Sequence, residues 1–197
     1  MYSILVAILR VYLHVWFDYQ VKDRPEIEMD QRLIGCAKHF SIRDIFALAC
    51  AYPGKLHFVG KQELGKNKFF NWIFRKLGVV FIDREANDID AIRKILAYLN
   101  NDKQIGIFPE GTRVKEISPH NMKSGVGLLA IRGKSDVLVA SVISELKFRK
   151  PLIVQFHPII HYEPYKEMGS REGRRELSKD IFNTIYSTDY SVSDFSD

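Results

Sequence analysis

Cysteine is scarce in this chain of 197 residues: Cys36 and Cys50 are the only two. Two thiols build neither a disulfide framework nor a zinc site. Both lie in apolar runs, which predicts reduced, buried side chains in a cytoplasmic setting. A membrane span requires about 20 consecutive, mostly apolar residues, and no such run occurs. The first apolar stretch, residues 2–9, is broken by Arg10, then His14, then Asp18. It also lacks the basic flank and small-residue cleavage site of a signal peptide. No His, Cys and carboxylate grouping has metal-ligand spacing, so no metal is expected. There is no Gly-x-Ser-x-Gly elbow, which excludes a hydrolase of that design. No helix-turn-helix or RNA-binding signature occurs, so no nucleic-acid partner is expected.

The composition is that of a folded domain, with 46% apolar and 27% charged residues. The length predicts one compact unit with short appendages. We expect a helix over residues 1–17, a catalytic or binding domain over 18–186, and a flexible polar tail over 187–197. The net charge is +5, although the tail carries three Asp and no Lys or Arg. A basic body of this kind suits an anionic partner such as a phospholipid or a phosphate-bearing substrate.

Short apolar runs alternate with helical periods along the chain. Residues 33–37, 56–59, 78–82, 105–108, 137–143 and 152–160 read as strands. Residues 42–52, 89–99, 123–131 and 171–186 read as helices, the first stopped by Pro53-Gly54. Strands that are apolar throughout and alternate with helices predict an α/β fold, a mainly parallel sheet with helices on both faces. The turn near residues 145–151 is expected to bring one strand back antiparallel.

Three polar clusters fall where predicted strands end, the edge at which open α/β sheets place ligands. The first is His39-Phe40-Ser41-Ile42-Arg43-Asp44. Ser41 and Asp44 have capping-box spacing, so Asp44 can serve the helix N-terminus alone. The same carboxylate can also fold back onto the His39 imidazole, leaving the other ring nitrogen to accept a proton. The second cluster is Asp83-Arg84. The third is Phe108-Pro109-Glu110-Gly111-Thr112-Arg113, in which Gly111 admits close backbone approach and Arg113 can fork onto phosphate oxygens.

Taken together, His39-x4-Asp44, Gly78-Val79-Val80-Phe81-Ile82-Asp83-Arg84 and Phe108-Pro109-Glu110-Gly111-Thr112-Arg113 match in order and spacing the blocks of the glycerolipid acyltransferases. The chain most resembles the 1-acyl-glycerol-3-phosphate (lysophosphatidic acid) acyltransferases, over roughly residues 10–160. The resemblance implies direct acyl transfer from a thioester, acyl-CoA or acyl-carrier protein, to the free hydroxyl of a lysophospholipid, with no further cofactor. It implies His39 as general base and Asp44 as its orienting partner. Arg84, Glu110, Gly111, Thr112 and Arg113 would hold the phosphorylated acceptor, and Lys123 is either a further phosphate contact or a solvated surface group. Lys38 stands where an Asn is usual, and Val114 where a Ser is common. The fourth block, expected near the acyl donor, reads Val137-Leu138-Val139-Ala140-Ser141-Val142-Ile143 in place of a proline-bearing segment. Glycerol 3-phosphate or another lysophospholipid as acceptor, and a catalytically silent lipid binder, are the competing readings.

Two segments are candidates for membrane contact. On a helix, Ser3, Ala7, Arg10 and His14 form a narrow polar stripe surrounded by apolar residues, a pattern for a core helix or one lying in a bilayer surface. Residues 61–76 are the second candidate. Phe69, Phe70, Ile73, Phe74 and Leu77 would share one face, and Trp72 sits beside Lys68, Arg75 and Lys76 as an anchor on anionic lipid. These features imply a peripheral protein on the cytoplasmic face of a membrane.

Overall fold

The computed structural model describes residues 2–28, 30–66, 68–76, 78–82, 88–113 and 125–187, with the backbone alone for residues 64, 65, 69, 70, 73 and 88. Seven strands form one sheet: β1 (Asp18–Lys22), β2 (Leu33–Ala37), β3 (Leu56–Lys61), β4 (Val80–Ile82), β5 (Gln104–Ile107), β6 (Asp136–Ser144) and β7 (Pro151–Phe156). Their order across the sheet is β1-β7-β6-β2-β5-β3-β4. The five strands from β6 to β4 are mutually parallel. β7 returns antiparallel to β6, and β1 lies parallel to β7. The α/β architecture and the reversed strand are as the sequence predicts.

Helices α1 (Tyr2–Trp16) and α2 (Ile42–Ala51) lie on one side of the sheet. α4 (Asp88–Asn100), α5 (Gly125–Gly133) and α7 (Glu172–Ile185) lie on the other. Alternate residues of the central strands β2 and β6 feed two separate cores. Leu33, Ala37, Leu138 and Ala140 pack under α1 and α2. Ile34, Cys36, Val137 and Val139 pack under α4, α5 and α7. A strand covered on both faces must be apolar at every position, which is why β2 and most of β6 read as continuous runs. Cys36 and Cys50 are both free and buried.

The remaining helices are α3 (Lys68–Lys76) and the five-residue α6 (Glu163–Glu167). Residues 61–76 are not one helix, because Lys61 pairs with Ile82 as the last rung of β3 and a 3-10 turn fills Gln62–Gly65. The last strand stops at Phe156, two residues before Pro158, a residue that cannot donate to a ladder. Ile160 then rejoins the sheet in a single bridge to Val137. β1 escaped the sequence reading because only Tyr19 of its five residues is buried. α6 escaped because it is short and carries a Pro in its first turn.

α1 runs beside α2 with Leu13 fully buried and Val6, Leu9 and Tyr12 packed on the same core. Its outer flank is apolar as well: Ile4, Ile8, Val11 and Val15 are each more than half exposed. Arg10 from the polar stripe reaches the Cys50 carbonyl at 3.0 Å and so caps the last turn of α2. Among the described residues no helix is long and apolar enough to cross a membrane. Of the predicted Phe69–Leu77 face only Phe74 has a described side chain, and residues 188–197 lie outside the description.

α5 and α7 approach closely through Gly127. A Cβ there would stand 2.5 Å from the Arg174 carbonyl oxygen and 2.8 Å from Ser178 Oγ. Overpacking of this kind costs about 1–3 kcal/mol, and α7 would have to move off the sheet to relieve it. Gly127→Ala is therefore expected to lower the melting temperature by roughly 2–10 °C in a thermal melt. An unchanged melt would mean that the two helices part freely.

Candidate active site

β2 and β5 are neighbours, and the rung Cys36↔Ile107 lies near both of their carboxyl ends. The chains that leave these strands therefore emerge side by side, one carrying His39 and the other Phe108 to Arg113. His39 lies just before α2. Ser41 is the N-cap in extended backbone, and its hydroxyl accepts from the Arg43 N–H at 3.2 Å. Asp44 completes the capping box. Its Oδ2 accepts from the N–H of Ser41 at 2.6 Å and of Phe40 at 2.7 Å. The hydrogen bonds that the structure gives this carboxylate thus come from the turn next to His39, not from the imidazole ring. The ring itself stacks on Phe108, with centroids 4.4 Å apart and planes 26° from parallel. Phe108 in turn stacks on Phe58.

In the second loop Gly111 has φ +70°, a conformation that favours glycine, and its N–H closes a turn onto the Phe108 carbonyl at 2.9 Å. Glu110 points inward and is only 4% exposed. Its Oε1 accepts from the His39 N–H at 3.3 Å and from the Tyr186 hydroxyl at 2.6 Å. The carboxylate joins the two loops to the end of α7. The resemblance put Glu110 among the groups holding the acceptor phosphate. Bonded in this way, the Glu110 side chain acts as a strut between the loops, and it is not among the residues that line the cavity beside His39.

Three ionisable groups are buried here: Lys38, Asp44 and Glu110. Desolvation pushes the Asp44 carboxyl up to about 6, with Glu110 adding to the rise and the two backbone bonds and Lys38 opposing it. Burial also raises Glu110, while Tyr186, the backbone N–H groups and Lys38 hold it down. Lys38 lies 4.8 Å from the centre of the Phe40 ring. The lysine that departs from the family pattern therefore belongs to the site's electrostatics.

A cavity of about 580 Å³ opens beside His39. Gly111, Thr112 and Arg113 line it together with Lys61, while its walls are apolar: Leu9, Ile45, Phe46, Phe58, Val79, Ile95, Val126 and Leu129. This is the size and character of a site for a ligand with an apolar body and a polar end. The structure thus brings together His39, Gly111, Thr112 and Arg113, with Asp44 and Glu110 behind them. Arg84 and Lys123, with Asp83 and His120, lie outside the described residues. The fourth block is buried in β6, where Val137, Leu138, Val139 and Ala140 are 0–1% exposed; the cavity wall is built from other elements. Sequence reasoning missed the Phe108 ring as the surface under His39, and it missed Tyr186. The aromatic before the Pro-Glu-Gly-Thr-Arg run was a usable signal for the first. Tyr186, 76 residues from Glu110, gave none.

Two other polar groupings have a structural explanation. Ser141 Oγ donates to the Ile185 carbonyl at 2.6 Å and lies 2.8 Å from His157 Nε2; fully buried, it ties β6 to the end of α7. Asp136, His161 and Glu163 each bring one ligand atom within 4.8 Å of the others, a grouping their sequence spacing did not reveal. It sits at the amino end of β6, away from His39, with Asp136 already bonded to His161 Nδ1 and the Tyr162 N–H.

Comparison with known proteins bears on the family and the fold. The acyltransferase family profile matches residues 18–145. A 1-acyl-sn-glycerol-3-phosphate acyltransferase of Bacillus subtilis is 27% identical over 142 residues, which span 72% of this chain and 70% of the relative. A protein of the same name from Helicobacter pylori is 28% identical over 58% of this chain and 50% of its own length. A lyso-ornithine lipid O-acyltransferase of Rhodobacter capsulatus is 35% identical over 48% of this chain and 33% of its own length. In fold, the chain is similar to the crystal structure of the 1-acyl-sn-glycerophosphate acyltransferase PlsC of Thermotoga maritima, with a TM-score of 0.72 and 21% identity. That match covers 95% of this chain and 81% of the other.

The raised Asp44 carboxyl has a consequence for stability. The folded chain holds this proton at pH values where the unfolded chain has released it, so stability falls as pH rises from the ordinary carboxyl value of 3.8 to about 6. Asp44→Asn removes that dependence. In thermal melts the variant is expected to gain on the parent chain between about pH 4 and pH 7, by up to roughly 3 kcal/mol. A difference that does not move with pH would contradict a desolvated carboxyl.

Proposed function

The chain belongs to the acyltransferase family, and on that premise we propose that it transfers an acyl group from a thioester to the free hydroxyl of a lysophosphatidic-acid-like acceptor, giving phosphatidic acid. The observation that carries this reading is one cavity in which His39 and Arg113 stand beside long apolar walls. Such a space suits a lipid with an acyl chain at one end and a phosphate at the other. The names of the similar acyltransferases support the same acceptor class.

His39 takes the proton of the acceptor hydroxyl as that oxygen attacks the thioester carbonyl. The C–O bond forms, the C–S bond breaks, and the leaving thiolate takes up a proton. No acyl-enzyme is formed. Asp44 acts by holding the Phe40-Ser41 turn, which fixes where the imidazole stands, and by placing a carboxylate in that turn. Gly111, Thr112 and Arg113 receive the acceptor phosphate, with Arg84 and Lys123 as further cations. The donor is acyl-CoA or acyl-carrier protein, and the chemistry asks for no other cofactor.

The acceptor and product are lipids. Lifting an acyl chain out of a bilayer costs about 0.8 kcal/mol per CH₂, so the enzyme works where the chain can stay in lipid. The outer flank of α1 supports such docking, since Ile4, Ile8, Val11, Val15 and Trp16 are exposed. Phe148, 59% exposed, meets Trp16 edge-on at 5.4 Å and continues the patch into a turn that carries Lys147, Arg149 and Lys150. Basic residues at an anionic surface contribute roughly 1 kcal/mol each. The free thiols fit the cytoplasmic leaflet.

The direct test is acyl transfer from radiolabelled acyl-CoA to lysophosphatidate, glycerol 3-phosphate and lyso-ornithine lipid. His39→Ala is expected to lose about 10²–10⁴ in turnover with the fold intact. Arg113→Ala is expected to weaken apparent affinity for phosphate-bearing acceptors roughly ten- to a hundredfold and to spare the phosphate-free one. Normal turnover in His39→Ala, or an acyl group trapped on Ser41, would overturn the mechanism. For the membrane, flotation with anionic vesicles is expected to carry the full chain and to lose it in Ile8→Asp/Val11→Asp. Equal flotation of both would remove α1 from the docking surface.

A further inference from the structure

We infer that Tyr186 is a positioning residue for His39, acting through the Glu110 carboxylate on the backbone from which the imidazole projects. The inference rests on the acyl-transfer reading for its kinetic meaning. Its geometry stands on the described contacts alone. Tyr186 follows α7 and lies outside the residues matched by the acyltransferase family.

Three observations carry it. The Tyr186 hydroxyl and the His39 N–H donate to the same oxygen, Glu110 Oε1, at 2.6 and 3.3 Å. The shorter bond, to a hydroxyl on a separate helix, decides where that oxygen sits, and the longer one passes the position on to His39. Tyr186 is only 4% exposed. Burying a hydroxyl costs free energy unless it is bonded, and a Phe would fill the same space without that cost. Finally, the end of α7 is itself held. The carbonyl of Ile185, one residue before Tyr186, accepts from Ser141 Oγ at 2.6 Å, and Ser141 is bonded to His157. The Tyr186 ring is set against Phe182 and Phe40, with centroids 4.7 and 6.5 Å away. A hydroxyl fixed from this many sides can serve as a reference point for a loop.

The His39 amide has one acceptor on this strut, while those of Phe40 and Ser41 are held by Asp44. Tyr186→Phe therefore loosens the first of three consecutive amides and leaves the next two in place. A packing role alone would not make that distinction.

The experiment uses the full chain as wild type, Tyr186→Phe, Glu110→Gln and the double variant. Transfer from acyl-CoA to lysophosphatidate is measured in mixed micelles, and backbone amide exchange is read by NMR. In Tyr186→Phe, kcat is expected to fall roughly tenfold, as for removal of one bond to a charged group, with both KM values within about twofold. Exchange at the His39 amide is expected to quicken while Phe40 and Ser41 stay protected. Because Tyr186 acts through Glu110, its removal is expected to add nothing to Glu110→Gln. A wild-type kcat in Tyr186→Phe, an equal further loss on the Glu110→Gln background, or unchanged His39 exchange would each overturn the inference. Should the wild type transfer no acyl group to any acceptor, the proposed activity fails, and His39 exchange alone decides the role of Tyr186. Should Tyr186→Phe not fold, Ser141→Ala, which frees the Ile185 carbonyl, is read by the same exchange measurement and the same outcomes apply.

Discussion

Three rungs of parallel pairing, Ile34↔Ile105, Gly35↔Gly106 and Cys36↔Ile107, hold the centre of this protein. They lie beneath helices on both faces, and every residue in them but Ile107 is buried, so their hydrogen bonds form away from water and leave the register little freedom. A slip of one residue would turn Ile34 and Cys36 out of the core under α4, α5 and α7 and into the one under α1 and α2. It would also carry Phe108 away from the His39 ring. The fold and the site therefore share one constraint: the register that fills the two cores is the register that stacks the two loops.

The interior beside those rungs is expensive. Lys38, Asp44 and Glu110 are each less than a tenth exposed. Removing carboxylates from water costs stability that apolar residues of similar size would not cost. The bonds made in return go to the backbone of residues 39–41 and to Tyr186, all of them next to the imidazole. Stability is given up to hold one turn still, an arrangement found where preorganised geometry matters more than melting temperature.

Much of this was legible beforehand, for physical reasons. Strands covered on both faces must be apolar throughout, so β2, β5 and β6 announced themselves. The capping box at Ser41 and Asp44 is a local pattern, and local patterns survive folding. What could not be read were interactions set only by the third dimension. His39-x4-Asp44 spacing allows either a ring-bonded pair or a backbone cap, and the structure shows the carboxylate on the backbone. The resemblance makes Glu110, Gly111, Thr112 and Arg113 neighbours of one phosphate, yet only the last three line the cavity, while Glu110 is bonded to Tyr186 and the His39 N–H. β1 was hidden because an edge strand with one buried residue has almost no hydrophobic signature. Tyr186 was hidden because nothing in a helix end discloses which distant carboxylate it meets.

The pairing of β1 with β7 has a consequence in time. Asp18 lies opposite Pro151, so the first of the seven strands finds its partner in the last of them, far along the chain. Closing so long a loop costs entropy before its contacts repay it. α1 can meet α2 early, since only residues 17–41 separate them. β1 has no such neighbour, and its backbone donors and acceptors stay wet while the parallel strands assemble. Until β6 has turned back into β7, the growing sheet ends at β6 with an apolar open edge. Of the seven strands, the first to be made must wait for the seventh before it is paired.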